Sequence, residues 1–317
     1  MNKNSKIFIA GHNGMVGSAI LRKLKNQSYE NLIIKTRSQL DLTQQSKVEA
    51  FFEKEQPEYV FVAAAKVGGI LANDTYPAEF IYQNLQIQNN LIHSAHQCKV
   101  KKLLFLGSSC IYPRECPQPM KEEYLLTGLL EPTNEAYAIA KIAGIKMCQF
   151  YYRQFKSNFI SIMPTNLYGP EDNFDLEKSH VLPALIRKFH EAKIYNQKSV
   201  IIWGTGIAKR EFLFVDDMAD ASIFIMNNVE AKELYEKNIS HINVGTGMDI
   251  SIGSLAEMVK KIVGFTGEII YDTTKPDGML KKQLDITRLK NLGWEPETEL
   301  NDGINKAYKW YIEHLVS

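Results

Sequence analysis

Several features that would indicate other classes of protein are missing from this chain of 317 residues. No stretch of about 20 apolar residues occurs, so no segment is expected to span a membrane. Neither sign of charge dominates, because 37 Lys and Arg residues stand against 36 Asp and Glu residues for a formal net charge of +1. We therefore expect no broad basic surface that would recruit nucleic acid or an anionic membrane.

Cysteine is also scarce. The four cysteines form no Cys-x-x-Cys pair, and we expect no metal site. The N-terminus runs directly into the strand-like segment Lys6–Ala10, so we expect no signal peptide. Hydrophobic residues make up 45% of the chain and charged residues 23%, as is usual for a globular enzyme. We expect a reduced, cytoplasmic protein.

The first half alternates short apolar runs with amphipathic stretches, which predicts buried parallel strands separated by helices. The predicted strands are Ile7–Ala10, Leu32–Lys35, Tyr59–Ala65, Lys102–Leu106 and Phe159–Met163. The predicted helices are Met15–Lys25, Gln45–Glu55, Pro77–Gln97 and Asn134–Phe155. This order indicates an α/β fold with a doubly wound parallel (Rossmann) sheet, whose ligand cleft lies beyond the carboxyl ends of the strands.

From about residue 170 the alternation becomes irregular. Short apolar pieces at Val200–Trp203 and His241–Val244 lie among small helices, and Ser251–Val263 and Asn301–Glu313 are amphipathic. We expect residues 1–170 to form the cofactor-binding domain, with some later segments returning to it. Residues 171–317 are expected to form mainly a smaller α/β substrate lobe. The adjacent Lys281 and Lys282 are expected on its solvated surface.

A glycine-rich loop follows the first predicted strand. Gly11, Gly14 and Gly17 recur at three-residue intervals between a strand and a helix, which is the context that a dinucleotide-binding loop requires. Met15 and Val16 begin the helix, where backbone amides attract phosphate. We therefore expect these five residues to bind the pyrophosphate of a dinucleotide.

The end of the second predicted strand distinguishes between the two nicotinamide cofactors. An acidic residue here would bind the ribose 2′-hydroxyl of NADH, but the strand leads into Thr36-Arg37-Ser38. The guanidinium group of Arg37 suits a 2′-phosphate, so we expect NADPH. Asp41 and Ala64 stand where the adenine edge and the crevice floor are expected.

Tyr137 and Lys141 are four residues apart on a predicted helix and therefore share a face. A nearby ammonium group stabilises a phenolate, so we expect the pKa of Tyr137 to fall from about 10 towards neutrality. Such a tyrosine can give a proton to a carbonyl oxygen while a hydride reaches its carbon. Ser108, at the end of an apolar run, would hold that carbonyl. The trio predicts a carbonyl/alcohol oxidoreductase.

These motifs resemble those of the extended short-chain dehydrogenase/reductases that modify nucleotide sugars. Longer segments are similar to the GDP-L-fucose synthase family, epimerase/reductases that act on GDP-4-keto-6-deoxy-D-mannose. The segments that carry this resemblance are Gly11-His12-Asn13-Gly14-Met15-Val16-Gly17-Ser18, Ser108-Ser109-Cys110-Ile111-Tyr112-Pro113, Glu131-Pro132-Thr133-Asn134-Glu135-Ala136-Tyr137, Pro164-Thr165-Asn166-Leu167-Tyr168-Gly169-Pro170 and Lys275-Pro276-Asp277-Gly278. The resemblance covers essentially the whole chain.

The resemblance implies proton exchange at C3 and C5 of the sugar, followed by hydride reduction at C4. It assigns the acid and base of the exchange to Cys110 and His180, whose ordinary pKa values of about 8.5 and about 6.5 bracket neutrality. It also implies that Lys141, Pro164, Asn166, Leu167 and His180 contact the cofactor.

For the GDP-sugar substrate, the resemblance implies contacts from a group of polar and aromatic residues. These are Ser108, Ser109, Asn166, Lys188, Trp203, Arg210 and Asp277. Lys188 departs from the arginine that the family pattern favours, keeping the charge but losing the planar fork. The resemblance further implies a homodimer formed through the helices Pro77–Gln97 and Asn134–Phe155.

Two alternatives remain open from the sequence. One is a sister reductase of a GDP-4-keto-6-deoxyheptose, with epimerisation reduced or absent. The other is a non-catalytic NADPH-binding sensor, against which the Ser108, Tyr137 and Lys141 set argues. A 4,6-dehydratase is disfavoured because Ser109-Cys110 stand where that class carries an acidic pair.

Overall fold

The computed structural model describes residues 1–176, 179–275 and 277–316, and for Ile70 the backbone alone. Pro276, within the motif Lys275-Pro276-Asp277-Gly278, therefore lies outside the described residues. No helix in the described ranges is long and apolar enough to cross a membrane.

The strands of the described chain are numbered in chain order. They are β1 (Ile7–Ala10), β2 (Leu32–Ile33), β3 (Tyr59–Val62), β4 (Lys102–Leu106), β5 (Phe159–Pro164), β6 (Asn166–Tyr168), β7 (Ser199–Trp203), β8 (Lys209–Phe214), β9 (Ile242–Val244), β10 (Asp249–Ser251), β11 (Glu268–Asp272) and β12 (Lys281–Lys282).

The α-helices are numbered in the same way. They are α1 (Met15–Asn26), α2 (Gln45–Glu55), α3 (Ile70–Thr75), α4 (Pro77–Gln97), α5 (Glu135–Phe155), α6 (Val181–Ile194), α7 (Val215–Asn228), α8 (Ala231–Tyr235), α9 (Ile252–Val263), α10 (Thr287–Asn291) and α11 (Leu300–Leu315).

The central sheet confirms the predicted doubly wound fold. Its strand order is β2-β1-β3-β4-β5-β9, and each neighbouring pair is parallel. Strands β1, β4 and β5 are buried along their whole length, which explains why they are continuous apolar runs. One face packs against α1 and α7, and the other against α2, α4 and α5.

The remaining strands build a second layer beside the carboxyl ends of the central sheet. Strand β8 pairs with β6, β10 and β12, and β7 pairs with β11. These strands share an apolar core with α6, α9 and α11. The helices α6 and α7 each span 14 residues, longer than the small helices expected here.

Candidate active site

A cleft of about 1050 Å³ opens beyond the carboxyl ends of the central strands. Many of the predicted site residues line it. They are Gly11, Gly14, Met15, Val16, Arg37, Asp41, Ala64, Ser108, Ser109, Cys110, Tyr137, Lys141, Pro164, Asn166, Leu167 and His180. The cleft therefore brings the glycine loop and the proposed proton-transfer groups together.

The glycine loop forms a tight turn between β1 and α1. Gly11 has a φ of +90°, which favours glycine, and its carbonyl accepts a hydrogen bond of 3.0 Å from the amide of Gly14. A Cβ on Gly17 would lie 2.1 Å from the Gly11 carbonyl oxygen, so this residue allows α1 to approach the turn. Gly17 thus lies behind the cleft rather than in its lining.

The residues of this loop fit the phosphates of a dinucleotide. The first residues of α1 line the cleft, no side chain caps the start of the helix, and its first turn contains no acidic residue that would repel an anion. The Nδ1 atom of His12, also in the cleft lining, is buried without a hydrogen-bond partner. The exposed Arg37 and the half-buried Lys35 also line this cleft.

Lys141 is fixed by both packing and a hydrogen bond. Its side chain is buried, and its ammonium group donates a 2.8 Å hydrogen bond to the Leu106 carbonyl at the end of β4. The nitrogen lies 5.7 Å from the centre of the Tyr137 ring. Burial lowers the pKa of Lys141 to about 8. One turn of α5 therefore places the cation beside the phenol, as the spacing predicts.

The predicted acidification of Tyr137 is wrong, because the pKa of its phenol is raised and not lowered. Burial raises the pKa of the Tyr137 phenol, with a smaller upward contribution from Cys110, while a hydrogen bond with Ser108 lowers it. Desolvation disfavours the phenolate more strongly than the hydrogen bond with Ser108 favours it. Tyr137 is consequently a fully protonated donor at neutral pH.

Cys110 and His180 line the cleft from opposite halves of the chain. Cys110 lies in a short 3-10 helix, Ser109–Ile111, directly after Ser108, and burial raises the pKa of its thiol. His180 immediately precedes α6. The residue is exposed as a whole, yet desolvation of its ring, together with Lys282, lowers the pKa of the imidazole. The two pKa values therefore move further apart than the sequence alone suggested.

Four of the predicted substrate residues lie outside the cleft lining: Lys188, Trp203, Arg210 and Asp277. Trp203 is 65% exposed, and the ammonium groups of Lys188 and Lys275 lie 5.9 Å and 5.5 Å from its ring centre. Arg210 is aligned with Lys282, a residue of the cleft lining, in the pairing of β8 with β12. Lys188, Trp203, Arg210 and Asp277 form an adjoining surface, which we call the tryptophan surface.

Hydrogen bonds within the protein already hold parts of the tryptophan surface. The carboxylate of Asp277 accepts bonds of 2.7 Å and 2.8 Å from the amide and hydroxyl of Thr205. Arg210 donates to the carbonyls of Lys209 and Met279 at 2.8 Å and 2.6 Å, and burial lowers the pKa of its guanidinium group. Asn166 in the cleft donates at 2.8 Å to the carbonyl of Glu211.

Sequence reasoning missed several polar residues of the cleft. Asn134, Asp172 and Ser179 each carry a buried side-chain oxygen without a hydrogen-bond partner. Burial raises the pKa of Asp172 to about 7. Lys282 was expected on the solvated surface, but it is half-buried and lines the cleft. The alternation of side chains along a strand was the available signal for Lys282, but β12 is too short to show a pattern.

Within the described ranges, no group of three or more His, Cys, Asp and Glu residues could hold a metal ion. The titratable side chains of the cleft are instead those suited to moving protons and binding a phosphorylated ligand.

The chain is similar in sequence to known proteins over most of its length. The sequence model of the NAD dependent epimerase/dehydratase family matches residues 7–245. The protein named GDP-L-fucose synthase 1 from Arabidopsis thaliana is 57% identical over 314 residues, covering 99% of this chain and 95% of the relative. GDP-L-fucose synthase from Escherichia coli is 54% identical over 313 residues, covering 98% and 97%.

Solved structures are similar over the same length. The structure of MlghC, a GDP-mannoheptose C4 reductase from Campylobacter jejuni with NADP bound, aligns with a TM-score of 0.91 at 45% identity. The alignment covers 98% of this chain and 99% of that one. The chain is therefore similar, over nearly its full length, to proteins named after two different GDP-sugars.

Proposed function

The chain belongs to the NAD dependent epimerase/dehydratase family, and on that premise we propose that it is an NADPH-dependent epimerase/reductase that converts GDP-4-keto-6-deoxy-D-mannose to GDP-L-fucose. The observation that carries this proposal is the presence of two sets of groups in one cleft. Ser108, Tyr137 and Lys141 suit carbonyl reduction, while Cys110 and His180 suit proton exchange.

Epimerisation comes first in this reaction. The C4 ketone acidifies the C–H bonds at C3 and C5, because the electron pair released on deprotonation becomes part of an enolate. Ser108 and Tyr137 stabilise the enolate oxygen by hydrogen bonding. Cys110 and His180 remove and return the protons, which requires that they reach opposite faces of the sugar ring.

Reduction follows at the same ketone. The bound NADPH supplies the hydride. Tyr137, protonated in the cleft because burial raises its pKa, gives its proton to the C4 oxygen. Ser108 holds that oxygen, and Lys141 orients the phenol and contacts the nicotinamide ribose.

The cofactor occupies the cleft between the glycine loop and the active-site groups. Gly11, Gly14, Met15, Val16 and Gly17 bind or shape the site of the pyrophosphate, and Arg37 binds the 2′-phosphate. The remaining contacts come from around the cleft. They are made by Asp41, Ala64, Lys141, Pro164, Asn166, Leu167 and His180, all of which line it.

The substrate extends from the cleft to the tryptophan surface. Ser108, Ser109 and Asn166 bind the sugar. Lys188, Trp203, Arg210 and Asp277 bind the GDP part, for which Arg210 and Lys188 supply positive charge and Trp203 an exposed aromatic face. The alignment of Arg210 with Lys282 supports continuity between the two parts of the site.

We also infer the domain division, the location and the oligomeric state of the protein. We infer that residues 1–170 form mainly the NADP-binding domain and residues 171–317 mainly the nucleotide-sugar-binding lobe. We further infer that the protein is cytoplasmic and that it forms a homodimer through α4 and α5.

A heptose substrate is the second candidate, supported by the 45% identity to the GDP-mannoheptose C4 reductase. The higher identities, 57% and 54%, are to proteins named GDP-L-fucose synthase, which favours the hexose. One additional sugar carbon changes only a few pocket contacts, so the two substrates differ by a modest binding energy.

The deciding experiment incubates the protein with GDP-4-keto-6-deoxy-D-mannose and NADPH in deuterated water. We expect NADPH oxidation and a product that carries deuterium at both C3 and C5. Turnover without deuterium at these carbons contradicts epimerisation. An absence of turnover, combined with activity on a GDP-4-keto-6-deoxyheptose, establishes the second candidate instead.

A further inference from the structure

The segment 107–112 follows β4 and carries Ser108 and Cys110 into the cleft. Its single 3-10 turn is closed by a 3.2 Å hydrogen bond from the Ile111 amide to the Ser108 carbonyl. A 3-10 turn of this length is weak by itself, because its hydrogen-bond geometry is poorer than that of an α-helix. The surrounding fold must therefore hold the segment if its side chains are to keep one position.

The two ends of this segment are attached to β5 and β9, which are neighbours in the central sheet. At the start, the Gly107 amide donates a 2.8 Å hydrogen bond to the Ile162 carbonyl of β5. At the end, the buried phenol oxygen of Tyr112 lies 2.7 Å from Nε2 of His241 and 2.5 Å from Oδ1 of Asn243. The start is thus held through its backbone, and the end through one side chain.

The hydrogen bonds around Tyr112 can run in only one direction. The side-chain nitrogen of Asn243 donates to two backbone carbonyls at 2.9 Å and 3.0 Å, so both of its hydrogens are used. Oδ1 of Asn243 is consequently an acceptor, and the Tyr112 phenol donates to it. The phenol oxygen in turn accepts from Nε2 of His241. Nδ1 of the same ring then has no proton and accepts a 2.8 Å hydrogen bond from the Ser240 hydroxyl.

The burial of these groups agrees with this assignment of protons. Burial lowers the pKa of His241 to about 3, with smaller contributions from Lys146 and Arg288, so the ring is neutral. Burial also raises the pKa of the Tyr112 phenol, which therefore keeps the proton that it donates. A buried network in which each polar atom has a partner favours a single geometry, and the loss of one member leaves its partners unpaired.

We propose that Tyr112 is a positioning residue for epimerisation, whose phenol, held by two buried side chains at β9, fixes the 3-10 turn that presents Cys110 to the sugar. This inference rests on the proposed function, which makes Cys110 an acid or base of the proton exchange. Tyr112 lies two residues beyond Cys110 and acts on it through the backbone of the turn.

The two reactions of the site should depend on this anchor to different degrees. Ser108, which holds the ketone oxygen, adjoins Gly107, and the backbone of Gly107 is bonded to β5 independently of Tyr112. Cys110 lies nearer the end that the phenol holds. Removal of the phenol oxygen should therefore slow proton exchange at carbon more than it slows hydride transfer.

The test incubates wild-type protein and Tyr112→Phe with GDP-4-keto-6-deoxy-D-mannose in deuterated water at saturating NADPH, so that hydride transfer competes with exchange. The early rate of deuterium incorporation at C3 and C5 is divided by the rate of NADPH oxidation. In Tyr112→Phe we expect this ratio to fall about 10-fold or more, since a misplacement of about 1 Å can cost about 100-fold. The ratio does not depend on how much of the protein is folded, so a loss of stability alone leaves it unchanged.

Tyr235→Phe is the matched control. Tyr235 is also buried, and its phenol donates a 2.8 Å hydrogen bond to the carbonyl of Phe159. Phe159 begins β5, at the opposite end of the strand from the cleft. We expect both variants to melt at a lower temperature than the wild-type protein, but only Tyr112→Phe to have a lower ratio. An equal fall in Tyr235→Phe overturns the proposal, as does a wild-type ratio in folded Tyr112→Phe.

Variants of His241 test the same hydrogen bond from its other side. His241→Leu removes the donor to Tyr112 and should lower the ratio, which keeps the proposal testable should Tyr112→Phe give no turnover. His241→Gln keeps an N–H group near the position of Nε2 and should stay close to the wild-type ratio. Equal ratios in His241→Leu and the wild-type protein contradict the role of the network. A wild-type protein that oxidises NADPH without incorporating deuterium contradicts the proposed function itself, and this inference falls with it.

Discussion

Burial controls the ionisable side chains at the centre of the cleft. It raises the pKa of Tyr137 and Cys110 and lowers the pKa of Lys141, so each group is pushed towards its neutral form. The spacing of Tyr137 and Lys141 correctly predicted that they would be neighbours. The spacing could not predict whether desolvation or the nearby ammonium group would have the larger effect on the pKa of Tyr137. Desolvation depends on atoms contributed by distant parts of the chain.

The buried Lys141 gives a prediction about stability and pH. Its pKa is about 8 in the folded protein, against an ordinary value of 10.5. Below pH 8 the fold carries the full cost of burying the charge, and this cost is removed as the pH rises from 8 towards 10.5. The wild-type protein should therefore gain stability over this range relative to Lys141→Met, by roughly 3 kcal/mol at most.

Urea unfolding of both proteins at pH values from about 7 to about 10 measures this difference. Lys47→Met, which removes an exposed lysine of α2, serves as the control and should show no comparable change with pH. A constant difference between Lys141→Met and the wild-type protein would mean that Lys141 titrates normally.

Arg37 gives a prediction about cofactor choice. Its exposed guanidinium group lies in the cleft lining with Lys35 and Thr36, and no acidic residue stands between the strand and Arg37. In Arg37→Ala we expect kcat/KM for NADPH to fall about 10- to 100-fold, the usual effect of losing one charge-assisted hydrogen bond. The kcat/KM for NADH should remain unchanged in this variant and is the internal control. An unaltered preference for NADPH would remove Arg37 from the 2′-phosphate site.

At the scale of elements, Gly14 and Gly17 of the glycine loop are needed for two different reasons. A Cβ on Gly17 would overlap the Gly11 carbonyl at 2.1 Å, whereas a Cβ on Gly14 would meet it at an ordinary 3.5 Å. Gly17 is therefore needed by the packing of α1 against the turn. Gly14, at the N-terminus of α1, is needed only if a ligand approaches its backbone closely.

The two alanine variants should consequently behave differently. We expect Gly17→Ala to lower the melting temperature, since an overpacked contact costs about 1–3 kcal/mol, and to weaken NADPH binding as well. Gly14→Ala should keep a near-native melting temperature but bind NADPH less tightly. Thermal unfolding and fluorescence titration with NADPH measure both effects. Equal melting temperatures for the two variants would contradict this account of the loop.

The regular elements of the first half were largely predictable. The bounds of α2, α4 and β4 match those expected from apolar periodicity and from Pro77 at the start of α4. Strand β3 ends at Val62 rather than Ala65, because Ala63, Ala64 and Ala65 leave the sheet to line the cleft. Strand β2 ends at Ile33, where pairing with β1 stops at the sheet edge. Pairing partners, rather than hydrophobicity, set these ends.

At the scale of the whole molecule, the site depends on segments far apart in the chain. Cys110 and Lys141 come from the first half, His180 precedes α6, and Lys282 comes from β12 near the other end. The second layer of strands carries Arg210 and Lys282 to the edge of the cleft through the pairing of β8 with β12. Both parts of the chain must be folded before the candidate site is complete.

The dimer is the prediction that belongs to this scale. Helices α4 and α5 pack together and present exposed aromatic side chains, including Tyr82 at 62% and Phe150 at 54% exposure. We expect sedimentation to give a molecular mass twice the 36.1 kDa of one chain. The variant Phe150→Asp should dissociate the dimer, because a charge at an apolar interface is costly.

Tyr195→Asp is the matched control, since Tyr195 is an equally prominent aromatic residue, 71% exposed, that lies outside both helices. It should leave the sedimentation coefficient unchanged. A wild-type protein that sediments as a single chain would exclude the dimer, and dissociation by Tyr195→Asp would place the interface elsewhere.

The sequence by itself determined the doubly wound sheet, the glycine loop and the pairing of Tyr137 with Lys141, because periodicity and short spacings encode local structure directly. Only the tertiary structure decided that Lys282 faces the active site while Lys281 does not, and that Tyr137 remains protonated. Both outcomes depend on desolvation and on contacts between distant segments. Such long-range packing has no local signature in the order of the residues.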